Sequence, residues 1–167
     1  MPRTPLVKVE GDAYSRGFQH GSRAKPLIAH NLDFYDRYYK KFLNLTWSEA
    51  VGKVSGAISK VGRYDKEMLG EIEGIAAGAE GKLEDIFVLN SRYELSITSI
   101  AERSRKGCTS FALTPEMTKS HHTLIEQNWD YRQALKKSRI LLAVQQEEIP
   151  CILMHVEAGT RAGKKKG

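Results

Sequence analysis

Arg103-Ser104-Arg105-Lys106-Gly107 runs directly into Cys108-Thr109-Ser110-Phe111-Ala112-Leu113, and this junction divides the chain into two unlike parts. Upstream of it, apolar residues recur three and four apart, the period of amphipathic helices. Downstream they alternate, the period of half-buried strands. The junction itself, Ser96 to Gly107, is polar, strongly basic and without apolar periodicity, so it reads as an exposed linker.

Working back from the linker, Leu83 to Leu95 reads as a helix that buries Ile86, Phe87, Leu89 and Tyr93. A helix before it runs from about Asp65 to Glu80, with Met68, Leu69, Ile72, Ile75, Ala76 and Ala79 on one face and Gly81 as its stop. Thr46-Trp47-Ser48-Glu49 has the spacing of a capping box and opens a helix predicted to end near Gly62. From about Ala13 to Leu43 the chain is rich in apolar and aromatic residues. The helical spacing there is clear from Pro26 onward, so Pro26 is expected to begin a helix or to kink one. Working forward, Thr109–Leu113, His122–Trp129, Arg139–Gln145 and Ile149–Val156 read as strands, the last two as a pair around Gln146-Glu147-Glu148. The expected class is α+β, helices first and a mostly antiparallel sheet after. The organisation expected is a helical region 1–107, a strand region 108–159 and a basic tail 160–167.

Composition sets outer limits. The 167 residues suffice for one domain, and 41% hydrophobic with 28% charged residues is ordinary for a folded protein. No apolar run approaches the roughly 20 residues needed to span a bilayer. Two cysteines do not make a disulfide scaffold, and with no leader visible the expected compartment is the cytoplasm. The net charge of +6 is largely a property of the tail. Arg161, Lys164, Lys165 and Lys166 lie in the last seven residues, and without these four the charge falls to +2. No basic face with interleaved aromatics is visible along the sequence, so no nucleic-acid partner is expected.

Cys108 is the residue on which chemistry is expected. It stands where linker meets strand, with Arg103, Arg105 and Lys106 before it and Arg92 further off, and positive charge favours the nucleophilic thiolate. A nucleophile needs a base. Histidine could serve, from His121-His122 or the more distant His20, His30 and His155. Alternatively, a cut between Gly107 and Cys108 would create an α-amino group, whose ordinary pKa of about 7.7–8.0 suits it to activate its own thiol. Cys151, flanked by Ile152 and Leu153, reads as packing. Arg16-Gly17 with His20-Gly21 reads as close helix packing ahead of a phosphate nest. Trp129 reads as core first and as a wall of an acyl pocket second. Arg92 and Glu94 read either as a buried pair or as solvated helix-end charges. Two cysteines and scattered histidines do not form a metal cluster.

The alternatives for the base are separated by Glu126-Gln127-Asn128-Trp129-Asp130. Together with Gly107-Cys108-Thr109-Ser110, 22 residues before Asp130, it resembles the acyl-coenzyme A:isopenicillin N (6-aminopenicillanic acid) acyltransferase family, peptidase family C45, among the N-terminal nucleophile (Ntn) hydrolases. Gly11-Asp12-Ala13-Tyr14-Ser15-Arg16-Gly17-Phe18-Gln19-His20-Gly21 is similar to the family's opening signature. Leu69 to Ala79, Leu89 to Leu95 and His155 to Gly159 resemble further segments, in register from about Val9 to Gly159. The resemblance implies an αββα sandwich preceded by a helical region, and self-cleavage at Gly107–Cys108 into an αβ heterodimer. It implies a Cys108 thioester formed from an acyl donor, a coenzyme A thioester or an amide, and passed to an amine or to water. Asp130 matches the family's aspartate beside the nucleophile, and Arg92, Glu94, Asn128 and Trp129 are expected to support it. No bound cofactor or metal is implied, and the resemblance leaves a peroxisomal location open for a full-length fungal relative. Family members are about twice as long, and the family's oxyanion asparagine and catalytic arginine lie in the part without a counterpart here. The chain therefore reads as C-terminally truncated, with weak catalysis or an inert, partner-binding role as the alternative.

Overall fold

The computed structural model describes residues 3–97, 108–146 and 149–161, with nothing stated for the side chains of residues 97, 149 and 150. The first element is a strand, β1 (Leu6–Glu10). Helices α1 (Ala13–Tyr38), α2 (Trp47–Tyr64), α3 (Lys66–Gly78), α4 (Leu83–Asn90) and α5 (Arg92–Ile97) follow. Strands β2 (Thr109–Leu113), β3 (Leu124–Asn128), β4 (Arg139–Gln146) and β5 (Ile149–Glu157) complete the order. The mixed, helices-then-strands α+β class holds, with β1 as an addition. The linker from Thr98 to Gly107 and the tail from Ala162 lie outside the described residues.

Helix α1 differs from expectation. It begins at Ala13, capped by the Asp12 carboxylate accepting from Ser15 N at 2.7 Å, and Pro26 lies inside it. Proline there removes one intrahelical bond, but Pro26 and Ser22, whose carbonyl is released, both face solvent, where water can take the bond's place. The helix passes into a π-turn at Tyr39–Leu43 and stops at Asn44 in the left-handed region, φ 49°. The capping box at Thr46 and Glu49 forms as the spacing predicts, and α2 continues through Gly62 to Tyr64. The single helix expected over Leu83–Leu95 is broken at Ser91 into α4 and α5.

Helices α1 and α3 meet backbone to backbone. A Cβ on Gly17 would lie 2.1 Å from the Glu71 carbonyl oxygen, and one on Gly21 would lie 2.3 Å from that of Ile75. From the other helix, a Cβ on Gly74 would meet the Tyr14 carbonyl at 2.2 Å and one on Gly78 that of Phe18 at 2.1 Å. No side chain fits at any of the four, which is why glycine recurs four apart on both helices. The packing reading of Gly17 and Gly21 is correct, and it leaves a phosphate nest no room.

The strands form two sheets, where one was expected. Strand β4 is central in the larger, parallel to β1 (Val7 opposite Leu142) and antiparallel to β5 (Leu142 opposite Met154). Its inner face buries Val7, Val9, Ile140, Leu142 and Val144 in one core with Ile28, Tyr35, Ile75 and Leu89 of the helices. Strands β2 and β3 pair only with each other, Thr109 opposite Asn128 and Leu113 opposite Leu124. Phe111, Leu124 and Ile125 remain exposed on this hairpin. Periodicity reports which residues alternate; it carries no information on which strands pair, and the split follows from that gap.

Candidate functional site

The site is assembled at one end of the β2–β3 hairpin. Since Thr109 pairs with Asn128, Cys108, just before Thr109, and Trp129-Asp130, just after Asn128, lie at the same end of the hairpin. Asn128 Nδ2 donates to Asp130 Oδ1 at 3.4 Å. The Cys108 thiol is free and exposed. Gly107, Arg103, Arg105 and Lys106 lie outside the described residues.

Aromatic rings carry this end of the hairpin onto the helical layer. Trp129 stacks on Tyr131 with centroids 6.0 Å apart and 18° between planes, and Tyr131 lies 6.0 Å from Tyr93 of α5. The Tyr131 hydroxyl is 3.1 Å from that of buried Tyr35, which donates to Glu157 Oε2 at 2.8 Å. Arg92 closes the network: its Nε donates to Glu157 Oε1 at 3.3 Å, a second nitrogen donates to the Leu89 carbonyl at 3.1 Å, and its Cζ lies 4.6 Å from the Tyr93 ring centroid. Burial pushes the Tyr93 phenol up, with Tyr131 and Glu157 adding to the push and Arg92 opposing it. Burial followed by Glu157 raises Tyr35 well beyond the usual phenol range, so it stays neutral, giving its one hydrogen to Glu157 and accepting from the Tyr131 hydroxyl.

The buried-pair reading of Arg92 with Glu94 is corrected here. Arg92 is buried, but its partner is Glu157 at the end of β5; Glu94 is exposed. An Arg held 12% exposed against a Glu held 1% exposed needs that pairing, because a lone charge at either position would be uncompensated. Cys151 is also corrected: it is exposed on the outer face of the sheet, since the alternation that points Ile152 inward points Cys151 outward. Trp129 is partly exposed and belongs to the aromatic bridge.

The histidines separate cleanly. His121 and His122 precede β3, at the end of the hairpin away from Cys108; five strand residues at about 3.3 Å each lie between. His30 Nε2 contacts the Ala134 carbonyl at 3.3 Å. His20 is buried and accepts through Nε2 from Gly159 N–H at 3.1 Å; burial pulls its pKa down to about 4, so it is neutral at pH 7. His155 is the one near the site, edge-on to Trp129 at 5.2 Å, with its pKa lowered by burial and then by Arg139.

A cleft of about 300 Å³ opens beside Trp129, lined among others by Asn90, Arg92, His155, Glu157 and Arg161. Its floor is the exit of β5, which is fixed by helical side chains. Asn31 Nδ2 donates to the Ala158 carbonyl at 2.7 Å, and Asn90 donates to that of Gly159 at 2.9 Å while accepting from Arg161 N–H at 2.9 Å. Gly159 has φ +89°, a conformation that favours glycine, and a Cβ there would press on Leu89 at 3.0 Å. Sequence reasoning named His155 only as one of five candidate bases, and it missed Tyr131 and Glu157 as site residues, although Glu157 lies inside a family-like segment. Among the described residues no three His, Cys, Asp or Glu side chains converge as a metal site, and no helix is long and apolar enough to cross a membrane.

No protein-family model matches the chain. It is 31% identical over 169 residues to the acyl-coenzyme A:6-aminopenicillanic-acid-acyltransferase 40 kDa form of Emericella nidulans. That similarity covers 92% of this chain and 41% of the relative, so the chain spans well under half the length of the protein it matches.

Proposed function

We propose that the chain carries the nucleophile-bearing part of an acyltransferase or amidohydrolase of the N-terminal nucleophile type. The observation that carries this reading is the β2–β3 register: two motif pieces 22 residues apart in sequence, ending at Cys108 and Asp130, share one end of a hairpin. Similarity to an acyltransferase over 92% of the chain supports the reaction class.

The mechanism proceeds in two stages. In the first, the Cys108 sulfur attacks the Gly107 carbonyl carbon, the C–N bond breaks, and the nitrogen leaves protonated as the α-amine of Cys108. Water hydrolyses the resulting thioester, giving a Gly107 carboxylate and a free thiol. The two pieces stay together as an αβ heterodimer, because β1 hydrogen-bonds to β4 and α1, α4 and α5 hold β5 and its exit through Asn31, Asn90 and Arg92. In the second stage the α-amine takes the thiol proton, the thiolate attacks an acyl thioester or amide, and the donor's thiol or amine leaves with a proton. An amine or water then attacks the acyl-Cys108 thioester and regenerates the thiol. Asp130, held by Asn128, orients the groups around the sulfur, and Trp129 and Tyr131 wall the acyl side. The Ntn αββα sandwich belongs to this proposal. The fit is that β4 and β5 keep an outer face with exposed Leu153 and Cys151, suited to a second layer.

Intact-mass measurement of the purified chain tests the first stage. Two fragments divided between Gly107 and Cys108, and a single uncut chain for Cys108→Ala, are expected. Cutting that persists in Cys108→Ala would assign it to an outside protease, and an uncut wild-type chain would remove self-processing from the proposal.

A further inference from the structure

A cavity of about 500 Å³, within the range of small-molecule sites, opens at the far end of β4 from the cleft beside Trp129. Gln146, the last residue of β4, is on its wall, whereas Glu157 of the Trp129 cleft pairs with Arg139, the first. The eight residues of β4, at about 3.3 Å each, hold the two apart. The rest of the wall comes from the starts of α1 and α3. These helices run parallel, since Gly17 meets Glu71 and Gly21, one turn on, meets Ile75, one turn on. Both N-termini, with their partial positive charge, therefore lie at the same end of the molecule.

The caps of the two helices leave amides over. Asp12 accepts from Ser15 N in α1, and Asp65 accepts from Glu67 N and Met68 N in α3. First-turn amides have no acceptor inside their own helix, so those of Ala13, Tyr14 and Lys66 remain, and all three residues line the cavity. Arg16, on the same wall, is the independent sign of a ligand. It is only 6% exposed. Its Nη1 donates to the Gly11 carbonyl at 2.6 Å, its Nε is buried without a partner, and among the described residues no carboxylate forms an ion pair with it. The Asp12 carboxylate is engaged on Ser15; those hydrogen bonds lower its pKa most and the charge of Arg16 least. A guanidinium taken out of water without a counter-ion is costly. The side of Arg16 not spent on Gly11, Nε with Nη2, is the fork that matches a carboxylate. Asp12 and Glu67 share the lining with Arg16 and Lys66, so the charges balance, which admits one further negative charge and disfavours two.

We propose that this cavity binds a small monocarboxylate, held by the Arg16 guanidinium and the amides of Ala13 and Tyr14, with exposed Lys66 adding attraction. The carboxylate supplies the acceptors that the caps and the Gly11 carbonyl leave missing, and the counter-charge that Arg16 lacks. The site is separate from Cys108, so it stands or falls independently of the acyl-transfer reading.

The test is nitrogen-15 NMR of the full chain, titrated at constant ionic strength with butyrate, with inorganic phosphate and with butyramide, which keeps the carbon chain and lacks the charge. Butyrate is expected to give saturable shifts at the Ala13 and Tyr14 amides and at the Arg16 Nε–H. Phosphate should bind more weakly, and butyramide should not bind. Arg16→Lys keeps the charge and removes the fork, and should weaken butyrate by about tenfold, the scale of a lost charge-assisted contact. Lys66 is exposed, so Lys66→Gln reports even if Arg16→Lys does not fold, with an expected loss of about threefold. Absent or unsaturable shifts at the three named groups would overturn the proposal. So would butyramide binding as well as butyrate, phosphate binding the more tightly, or wild-type affinity in either folded variant.

Discussion

The helical layer with its three-stranded sheet and the β2–β3 hairpin are built on opposite terms. In the first, glycines bring α1 and α3 to backbone contact, valines and isoleucines fill the space under β4, and buried side chains of α1, α4 and α5 hold β5 and its exit. In the second, every residue from Thr109 to Ala112 and from Leu124 to Asn128 is exposed, and Trp129 and Tyr131 connect the Cys108 end of the hairpin to the helical layer. The rigid region carries little of the proposed chemistry, and the exposed one carries Cys108 and Asp130. Stability and reactivity are therefore expected to respond to different substitutions.

The largest effect should come from the helix crossing. Gly74→Leu must push α3 off Tyr14 and Phe18, and the loss should exceed about 4 kcal/mol, enough to abolish cooperative unfolding in urea. A Gly74→Leu protein with a near-normal midpoint would show that the two helices do not touch as described. Next is the ion pair at the seam between the regions. Glu157→Gln leaves Arg92 buried without a counter-charge and should cost about 3 kcal/mol by the same measurement. Asp130→Asn, on the exposed side, should leave stability within about 0.5 kcal/mol while reducing processing at Gly107.

His20 gives a pH signature to the rigid region alone. Its folded pKa of about 4 lies below the ordinary 6.5, so the unfolded chain takes up its proton first as pH falls. The contribution is intact above about pH 6.5 and is lost progressively down to about pH 4, by roughly 3 kcal/mol in total. Asp12, Glu49 and Glu80 are held below their ordinary values by hydrogen bonds to Ser15, Thr46 and Lys25 respectively. They act in the lower window beneath about pH 4.5. Stability measured from pH 7 to 4.5 should therefore fall more steeply in wild type than in His20→Gln, where His155, also held below its ordinary value, still contributes. The smallest effect belongs to the hairpin: Ile125→Ser, at a position 74% exposed, should change stability by less than about 0.5 kcal/mol.

Much of the fold was legible along the chain, and the misses share a cause. The capping box at Thr46, the α3 stripe and the β4–β5 pair are local patterns, and they stand as read. Strand β1 was missed because five alternating residues become a strand only through β4, more than 130 residues away. Pro26 misled as a helix start because a proline on the solvent face can sit inside a helix, and α1 already begins at Ala13. The Cys108 and Asp130 segments were visible as motif pieces. The roles of Glu157 and Tyr131 were not, and nothing singled His155 out among the histidines, since each depends on a partner on another element.

The most direct test uses the two cysteines, both free and exposed, as each other's control. The chain is incubated with a phenylacetyl thioester, digested and mapped by mass spectrometry. The account predicts one phenylacetyl adduct, on the peptide that begins at Cys108, absent in Cys108→Ala and retained in Cys151→Ala. Equal labelling of Cys108 and Cys151, or labelling that survives Cys108→Ala, would contradict it.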